Sequence, residues 1–301
     1  MQKRNVLSSP RLNELKKQRR KVAVNKFLII FFIAVILFAL GAYLSQLKDL
    51  NISQVEISGN KIIDTNEIKY VVDEQIAGKY LRLFPKSNVL YYSKSAIKTG
   101  LQNKFHRLGN IDLSIKDRKT LLVSVLEREA KYLWCGMMPA SGVQHPTEEK
   151  CYFLDDTGYV FDEAPYFSGE VYFKFYGHSD AGRGTSDRTG FYFSERNFRQ
   201  LVSFKDVLIN IGLKPVVINI LENGDIELFL ARGNSSKTGP KIIFKPDADL
   251  LNVAENLQAA LVTEPLLSGF KNKYSSLLYI DLRFGNKVYF KFMEWASGAG
   301  L

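Results

Sequence analysis

An uncharged run of 21 residues, 27–47 (FLIIFFIAVILFALGAYLSQL), constrains this chain more than any other feature. As a helix it would extend about 31 Å, close to the hydrocarbon thickness of a bilayer. Lys3, Arg4, Arg11, Lys16, Lys17, Arg19, Arg20, Lys21 and Lys26 precede it, opposed only by Glu14. Basic flanks stay cytoplasmic, so the run reads as a single-pass anchor with its N-terminus in the cytoplasm. The competing reading is a cleaved signal peptide. Its basic region would be unusually long, its apolar core exceeds the normal length, and the cleavage candidate near Ala39-Leu40-Gly41 is poor.

Placing the charge removes a misleading cue. The net charge of +10 suggests nucleic acid, but residues 1–26 alone contribute +8. The remaining 32 basic and 30 acidic residues nearly cancel, so the region beyond the anchor lacks a nucleic-acid footprint. That region, about 250 residues, is long enough for one large or two ordinary domains.

Directly after the anchor the pattern predicts a strand over 52–57, closed by Gly59-Asn60. Asp64 and Glu67 form a capping-box pattern before a helical stripe of Ile68, Val71, Val72 and Ile76, with Gly78 as the stop. A loop with Pro85 leads to a second helix starting near Ser93 or Ser95. Two alternating strands follow, 111–116 and 121–127, joined by Asp117-Arg118-Lys119. Strand–helix–helix–strand–strand makes a small α+β unit with two helices on one face of a three-stranded sheet.

From Ala130 the composition favours strands, near 132–135, 151–154, 159–161 and 171–176. Residues 177–190 read as a mobile loop. Helices are expected over 195–211 and 249–262. Strands 216–221 and 226–230 flank Glu222-Asn223-Gly224-Asp225, a strong hairpin signal, and 242–244 reads as a short strand. The last run alternates most cleanly: Leu278, Ile280, Leu282 and Phe284 alternate with Tyr279, Asp281 and Arg283. After Gly285-Asn286 come Val288, Phe290 and Phe292 against Lys287, Tyr289 and Lys291, a hairpin or two strands joined at a bulge.

Catalytic signatures are sparse. Ser95-Ala96-Ile97-Lys98 fits S-x-x-K and Lys237-Thr238-Gly239 fits K-T-G, the pattern of penicillin-binding serine enzymes. No S-x-N or Y-x-N lies between them, Lys237 is expected in a polar turn, and a second K-T-G at Lys98 shows how cheaply the motif arises. His106, His145 and His178 have no partners at metal or catalytic spacing, and neither a metal nor another cofactor is expected. Asp155-Asp156 reads as a solvated turn. Cys135 and Cys151 bracket a 15-residue insertion between two strand-like runs. If those runs pair, a structural disulfide closes the loop and contributes roughly 3 kcal/mol on the chain-entropy model. Two free thiols, or a metal site with His145 that lacks a fourth ligand, are the alternatives.

Several stretches together resemble the bacterial cell-division family FtsQ/DivIB. They are Val55-Glu56-Ile57-Ser58-Gly59-Asn60, residues 111–116, and residues 121–128. The family's ER-x-P-x-A stretch is similar to Glu127-Arg128-Glu129-Ala130-Lys131-Tyr132, with Ala130 in place of Pro. Leu154-Asp155-Asp156-Thr157-Gly158-Tyr159-Val160-Phe161 resembles L-x-D-x-x-G-x-V-F, and Tyr279-Ile280-Asp281-Leu282-Arg283 resembles Y-I-D-L-R.

The resemblance implies an α+β architecture with a basic tail (1–26), a transmembrane helix (27–47), a POTRA domain (48–128), an extracytoplasmic β domain with a mainly antiparallel sheet and two flanking helices (129–293), and a short tail (294–301). It implies a non-enzymatic divisome scaffold at the septum. Its partners would be single-pass FtsB/DivIC-like and FtsL-like proteins, docked by strand addition on Arg283, Phe284, Gly285, Asn286, Lys287, Val288, Tyr289 and Phe290. Tyr289→Pro, which removes a ladder donor, is then expected to abolish co-purification of the FtsB-like partner while the domain stays folded. An anchored serine acyl enzyme and a POTRA-type export component are the alternatives.

Overall fold

The computed structural model describes residues 10–139, 150–167, 171–177, 188–194, 197–232 and 235–293. The expected tail 294–301, most of the loop 177–190 and the insertion residues 140–149 lie outside them. The chain divides into two compact units: Met1–Gln102 with Asn110–Leu126, and Asn103–Gly109 with Glu127–Leu301.

The first unit begins with helix α1, Pro10–Ser45, which is long and apolar enough to cross a membrane and leaves its large side chains from Phe27 to Leu40 exposed. The helix thus starts inside the basic tail and ends two residues before the uncharged run does. Its terminal carbonyls would be orphaned without outside donors. Asn51 Nδ2 donates to Ser45 O (3.0 Å) and Leu47 O (2.7 Å), and the fully buried Asn88 donates Nδ2 to Ser45 O at 3.1 Å.

Next come β1 (Gln54–Ser58), α2 (Thr65–Ile76), the short pair β2 (Lys79–Tyr80) and β3 (Phe84–Pro85), α3 (Lys94–Lys104), β4 (Leu108–Lys116) and β5 (Thr120–Glu127). Asp64 caps α2 by accepting from Asn66 N at 2.7 Å. The sheet runs β1-β5-β4, with β1 parallel to β5. Ile68, Val71 and Val72 of α2 and Ile97 and Leu101 of α3 are buried, as are Leu121, Val123 and Val125 of β5. The expected strand–helix–helix–strand–strand order is present. The region around Pro85, read as a plain loop, instead contains the β2–β3 hairpin.

The second unit holds a ten-stranded sheet, and its added strands are β6 (Tyr132–Trp134), β7 (Tyr152–Leu154), β8 (Tyr159–Glu163), β9 (Phe173–Gly177), β10 (Phe191–Tyr192), β11 (Pro215–Ile220), β12 (Ile226–Arg232), β13 (Ser235–Phe244), β14 (Leu277–Phe284) and β15 (Lys287–Phe292). Their order is β10-β8-β7-β6-β9-β11-β12-β13-β14-β15, mostly antiparallel. Helices α4 (Phe198–Asn210), α5 (Leu250–Leu261) and α6 (Leu266–Asn272) share one core with it. Phe198, Phe204 and Leu208 of α4 and Leu257 of α5 meet Phe175, Ile218, Leu228, Ile242, Phe244 and Ile280 there, all at most 2% exposed. At about 2 kcal/mol for each fully buried large side chain, this layer is the main stabilising contribution of the unit.

Several expectations change. The seven-residue α6 joins the two helices foreseen; Pro265 and Gly269 broke its pattern in the sequence. β13 spans ten residues rather than three, so Lys237-Thr238-Gly239 lies on a strand and not in a turn. Pairing with β12, Ala231 opposite Thr238 among others, overrides the polar composition. Ser95 and Lys98 nevertheless belong to the other unit.

The Asp155 turn also differs from its reading. Asp155 is buried, with Oδ1 accepting from Thr157 N (2.8 Å), Thr157 Oγ1 (2.6 Å) and Tyr159 N (3.0 Å), while Arg128 Nη1 donates to Oδ2 at 2.5 Å. The Arg128 guanidinium also lies 4.0 Å from the Tyr159 ring centre. The neighbouring glycine is obligatory: Gly158 has φ +85°, and a Cβ there would stand 2.6 Å from the Phe198 ring.

Burial alone would raise the Asp155 carboxyl, but the Thr157 hydroxyl, the Tyr159 amide and Arg128 together hold it below the ordinary carboxylate value. The stabilisation is therefore complete above the unfolded value, about pH 4, and is lost as pH falls through the lower folded value. Arg128→Ala leaves the buried carboxylate without its counter-ion. Thermal or urea unfolding of the full chain in micelles is expected to show a loss of about 3 kcal/mol at pH 7.

Candidate functional site

The residues singled out by the resemblance converge at one end of the large sheet. β14 and β15 form an antiparallel hairpin in which Ile280 pairs with Phe290 and Asp281 with Tyr289. Gly285, at φ +64°, makes the turn, and Asn256 of α5 donates Nδ2 to its carbonyl at 3.2 Å. Among the described residues β15 is the last strand, with β14 as its only neighbour.

The alternation expected for β14 is broken by two register shifts, between Leu277 and Tyr279 and between Asp281 and Phe284. An extra residue in one strand reverses which face the following side chains take. Leu278 and Phe284, from the apolar set of the alternation, are exposed at 37% and 54%, whereas Asp281, from the polar set, is buried.

Burying Asp281 requires a partner, and Arg283 supplies it. Its Nε and Nη2 donate to Asp281 Oδ1 (2.9 Å) and Oδ2 (2.6 Å), and its Nη1 donates to Asp225 Oδ2 at 2.7 Å. Planar guanidinium geometry suits this bidentate contact. Burial would raise the Asp281 carboxyl, and the Arg283 hydrogen bonds and charge hold it below the ordinary value; the two carboxylates raise Arg283 in turn. Arg283, expected among the docking residues, is thus committed to a clamp between β14 and the β11–β12 turn. Asp225 was read only as a hairpin-turn residue, and nothing in its spacing pointed to a contact 58 residues away.

The open strand presents different chemistry on its two faces. Lys287, Tyr289 and Lys291 are exposed on one, where Tyr289 meets Phe284 edge-on at 5.2 Å. Val288, Phe290 and Phe292 are half-buried on the other and pack against the core. α6 sits so close to Phe292 that a Cβ on Gly269 would come within 2.4 Å of the ring, and the ring would have to shift to admit it. Two grooves flank the strand on this side. One of about 300 Å³ is bounded by Asn256, Thr263, Glu264, Val288 and Phe290. The other, about 1000 Å³, is bounded by Pro265, Gly269, Phe290, Phe292 and Met293.

The direction of the free amides follows from one bond. Met293 N donates to Ser276 O at 2.7 Å, toward the β14 side. Hydrogen-bonded and non-hydrogen-bonded positions alternate along an antiparallel strand, and both register shifts insert residues in β14. The amides of Lys287, Tyr289 and Lys291 therefore point into the ladder, and those of Val288, Phe290 and Phe292 point outward. Proline at Tyr289 would cut the β14 ladder rather than the free edge, which corrects the earlier expectation.

Cys135 and Cys151 are joined by a disulfide, with their Cα atoms 4.1 Å apart. They follow directly from the β6–β7 pairing, in which Trp134 lies opposite Tyr152, and share a small core cluster with Leu133, Tyr176 and Val217. The pair closes the base of the insertion, as the strand reading anticipated.

Arg283→Ala would leave Asp281 buried without its counter-ion. The expected loss is about 2 kcal/mol at pH 7, below that of a fully buried pair because the Arg283 side chain is 31% exposed. Its stabilisation is present above the unfolded Asp value and is lost as pH falls through the depressed folded one, so equilibrium unfolding is expected to show a larger deficit at pH 7 than at pH 2.

No protein-family model matches the chain, and no curated protein matches it significantly.

Proposed function

We propose that this chain is a bitopic membrane scaffold of the FtsQ/DivIB kind, acting in bacterial division by protein–protein contact and not by catalysis. On this reading α1 is the anchor, with its N-terminus in the cytoplasm and the parts of both units that follow it outside. The first unit is a POTRA domain, a reading supported by its β-α-α-β-β order and by β1 lying beside β5. The second unit carries the docking strand for an FtsB/DivIC- or FtsL-type partner at the septum.

The observation that carries the proposal is the end position of β15, with outward amides at Val288, Phe290 and Phe292. A partner strand gains affinity from those backbone groups and selectivity from alternate side chains. Phe284 and Tyr289 offer an aromatic contact on one face, and Lys287 and Lys291 favour an acidic segment. The same lysines disfavour pairing of two copies of this edge, a usual protection for exposed strands.

Val288→Pro tests the idea. It removes an outward N–H while leaving the amides that face β14 and substituting a side chain of similar size. The full chain with this change is expected to keep its thermal transition and to lose capture of its single-pass partner from native membranes. Undiminished capture would overturn the edge-strand proposal. Labelling with a β-lactam probe separates the acyl-enzyme alternative, since acylation at Ser95 would replace the scaffold reading.

A further inference from the structure

The β2–β3 hairpin of the first unit has a composition opposite to that of an ordinary surface turn. Its sequence, Lys79-Tyr80-Leu81-Arg82-Leu83-Phe84-Pro85-Lys86, alternates apolar bulk with positive charge. Lys79 pairs with Pro85 and Tyr80 with Phe84 around a three-residue connection, in which Leu83 N donates to Tyr80 O at 3.0 Å over the tip residues Leu81 and Arg82. Both tip residues lie in the left-handed region, Leu81 at φ +48° and Arg82 at φ +62°. Turns of that kind ordinarily use Asn or Gly, because a bulky side chain there is strained. Here the strained position displays a leucine that is 78% exposed, with Leu90, 77% exposed, on the segment that follows.

The hairpin's surroundings identify what covers it. Phe84 packs edge-on against Phe38 of α1 with ring centres 5.3 Å apart, and Gln46 Nε2 donates to Leu83 O at 3.2 Å. Phe38 lies seven residues before Ser45, about 10 Å of helix back from the end of α1, and helical side chains tilt further toward the N-terminus. Phe84 therefore reaches well below the end of the apolar helix. Asn88 and Asn51 bind the last carbonyls of α1, so the hairpin is tied to the helix and does not hang free. Tyr91 stands within 6.5 Å of the Tyr80 ring and 6.4 Å of the Phe84 ring, which completes an aromatic group at this level. Tyrosines favour the membrane–water boundary, and basic side chains can lie along apolar surface while their charged ends reach headgroups.

We infer that the β2–β3 hairpin is a lipid-inserting element, with Leu81, Leu83 and Phe84 in the acyl region beside α1 and Lys79, Arg82 and Lys86 at anionic headgroups. The inference rests on the reading of α1 as a membrane anchor. Two points of attachment, one spanning and one half-inserted, would restrict the first unit's tilt and rotation about the helix axis.

Site-directed labelling of the full chain tests this in vesicles of phosphatidylcholine and phosphatidylglycerol. Both native cysteines are in the disulfide, so a thiol-reactive environment-sensitive fluorophore can be placed singly at Leu81→Cys, Phe31→Cys or Ile62→Cys. Phe31 reports the anchor, and Ile62, which is 69% exposed beyond the far end of β1, reports solvent. Label at Leu81 is expected to emit to the blue of Ile62 and to be quenched several-fold more by lipid-borne nitroxide than by aqueous iodide, as at Phe31. Quenching at Leu81 that matches Ile62, with Phe31 still in lipid, would overturn the hairpin inference alone. Iodide quenching at Phe31 would overturn the anchor reading and the hairpin inference with it.

Discussion

A backbone amide or carbonyl removed from water must find a partner, and the main features of this molecule can be understood from where that demand is met. At the end of α1 it is met by Asn51 and Asn88, side chains supplied by the segment outside the helix. In the large sheet each strand satisfies its neighbour until β15, where three outward amides remain. A sheet of this length has two ends, and β10, with two residues, makes a poor template at the other. β15, with six residues and flanking grooves, is the longer end, and on the proposed reading it is the one that accepts another strand.

Holding that edge in place depends on charges paired within the second unit. The Arg283 fork joins Asp281 on β14 to Asp225 in a distant turn, and Asn256 reaches the Gly285 carbonyl from α5. These contacts fix the hairpin from two sides, so an incoming strand would meet a preformed ladder and lose little to reorganisation. The Arg128–Asp155 pair performs a comparable task at the entrance to the second unit. In both places a buried carboxylate is kept ionised by an arginine and by backbone amides, which makes these sites sensitive to removal of either partner.

Much of the local structure was legible in the residues. Periodicity found α2, α3, α4 and α5, alternation found β4, β5, β11, β12 and the final hairpin, and Asp64 marked a helix start. Errors came where contacts distant in sequence outweighed local composition. β13 extends through a polar stretch because β12 pairs with it. Asp155, read as part of a solvated turn, and Asp281, from the polar set of an alternating strand, are buried because Arg128 and Arg283 reach them. The β2–β3 hairpin escaped notice because its tip uses Leu and Arg where turn chemistry favours Gly or Asn.

By itself, then, the sequence determined the apolar span at 27–47, the confinement of excess charge to its N-terminal side, and the succession of a small α+β unit and a strand-rich one. These follow from patterns within a few turns or residues, which short-range sterics and hydrophobicity control. Only the tertiary structure decided that β15 stands last in the sheet, which of its amides face outward, and that Arg283 is occupied internally. It also decided that Phe84 lies against Phe38. Strand order, register shifts and ion pairs across 58 residues depend on packing between distant segments, and no local window of the sequence contains both partners.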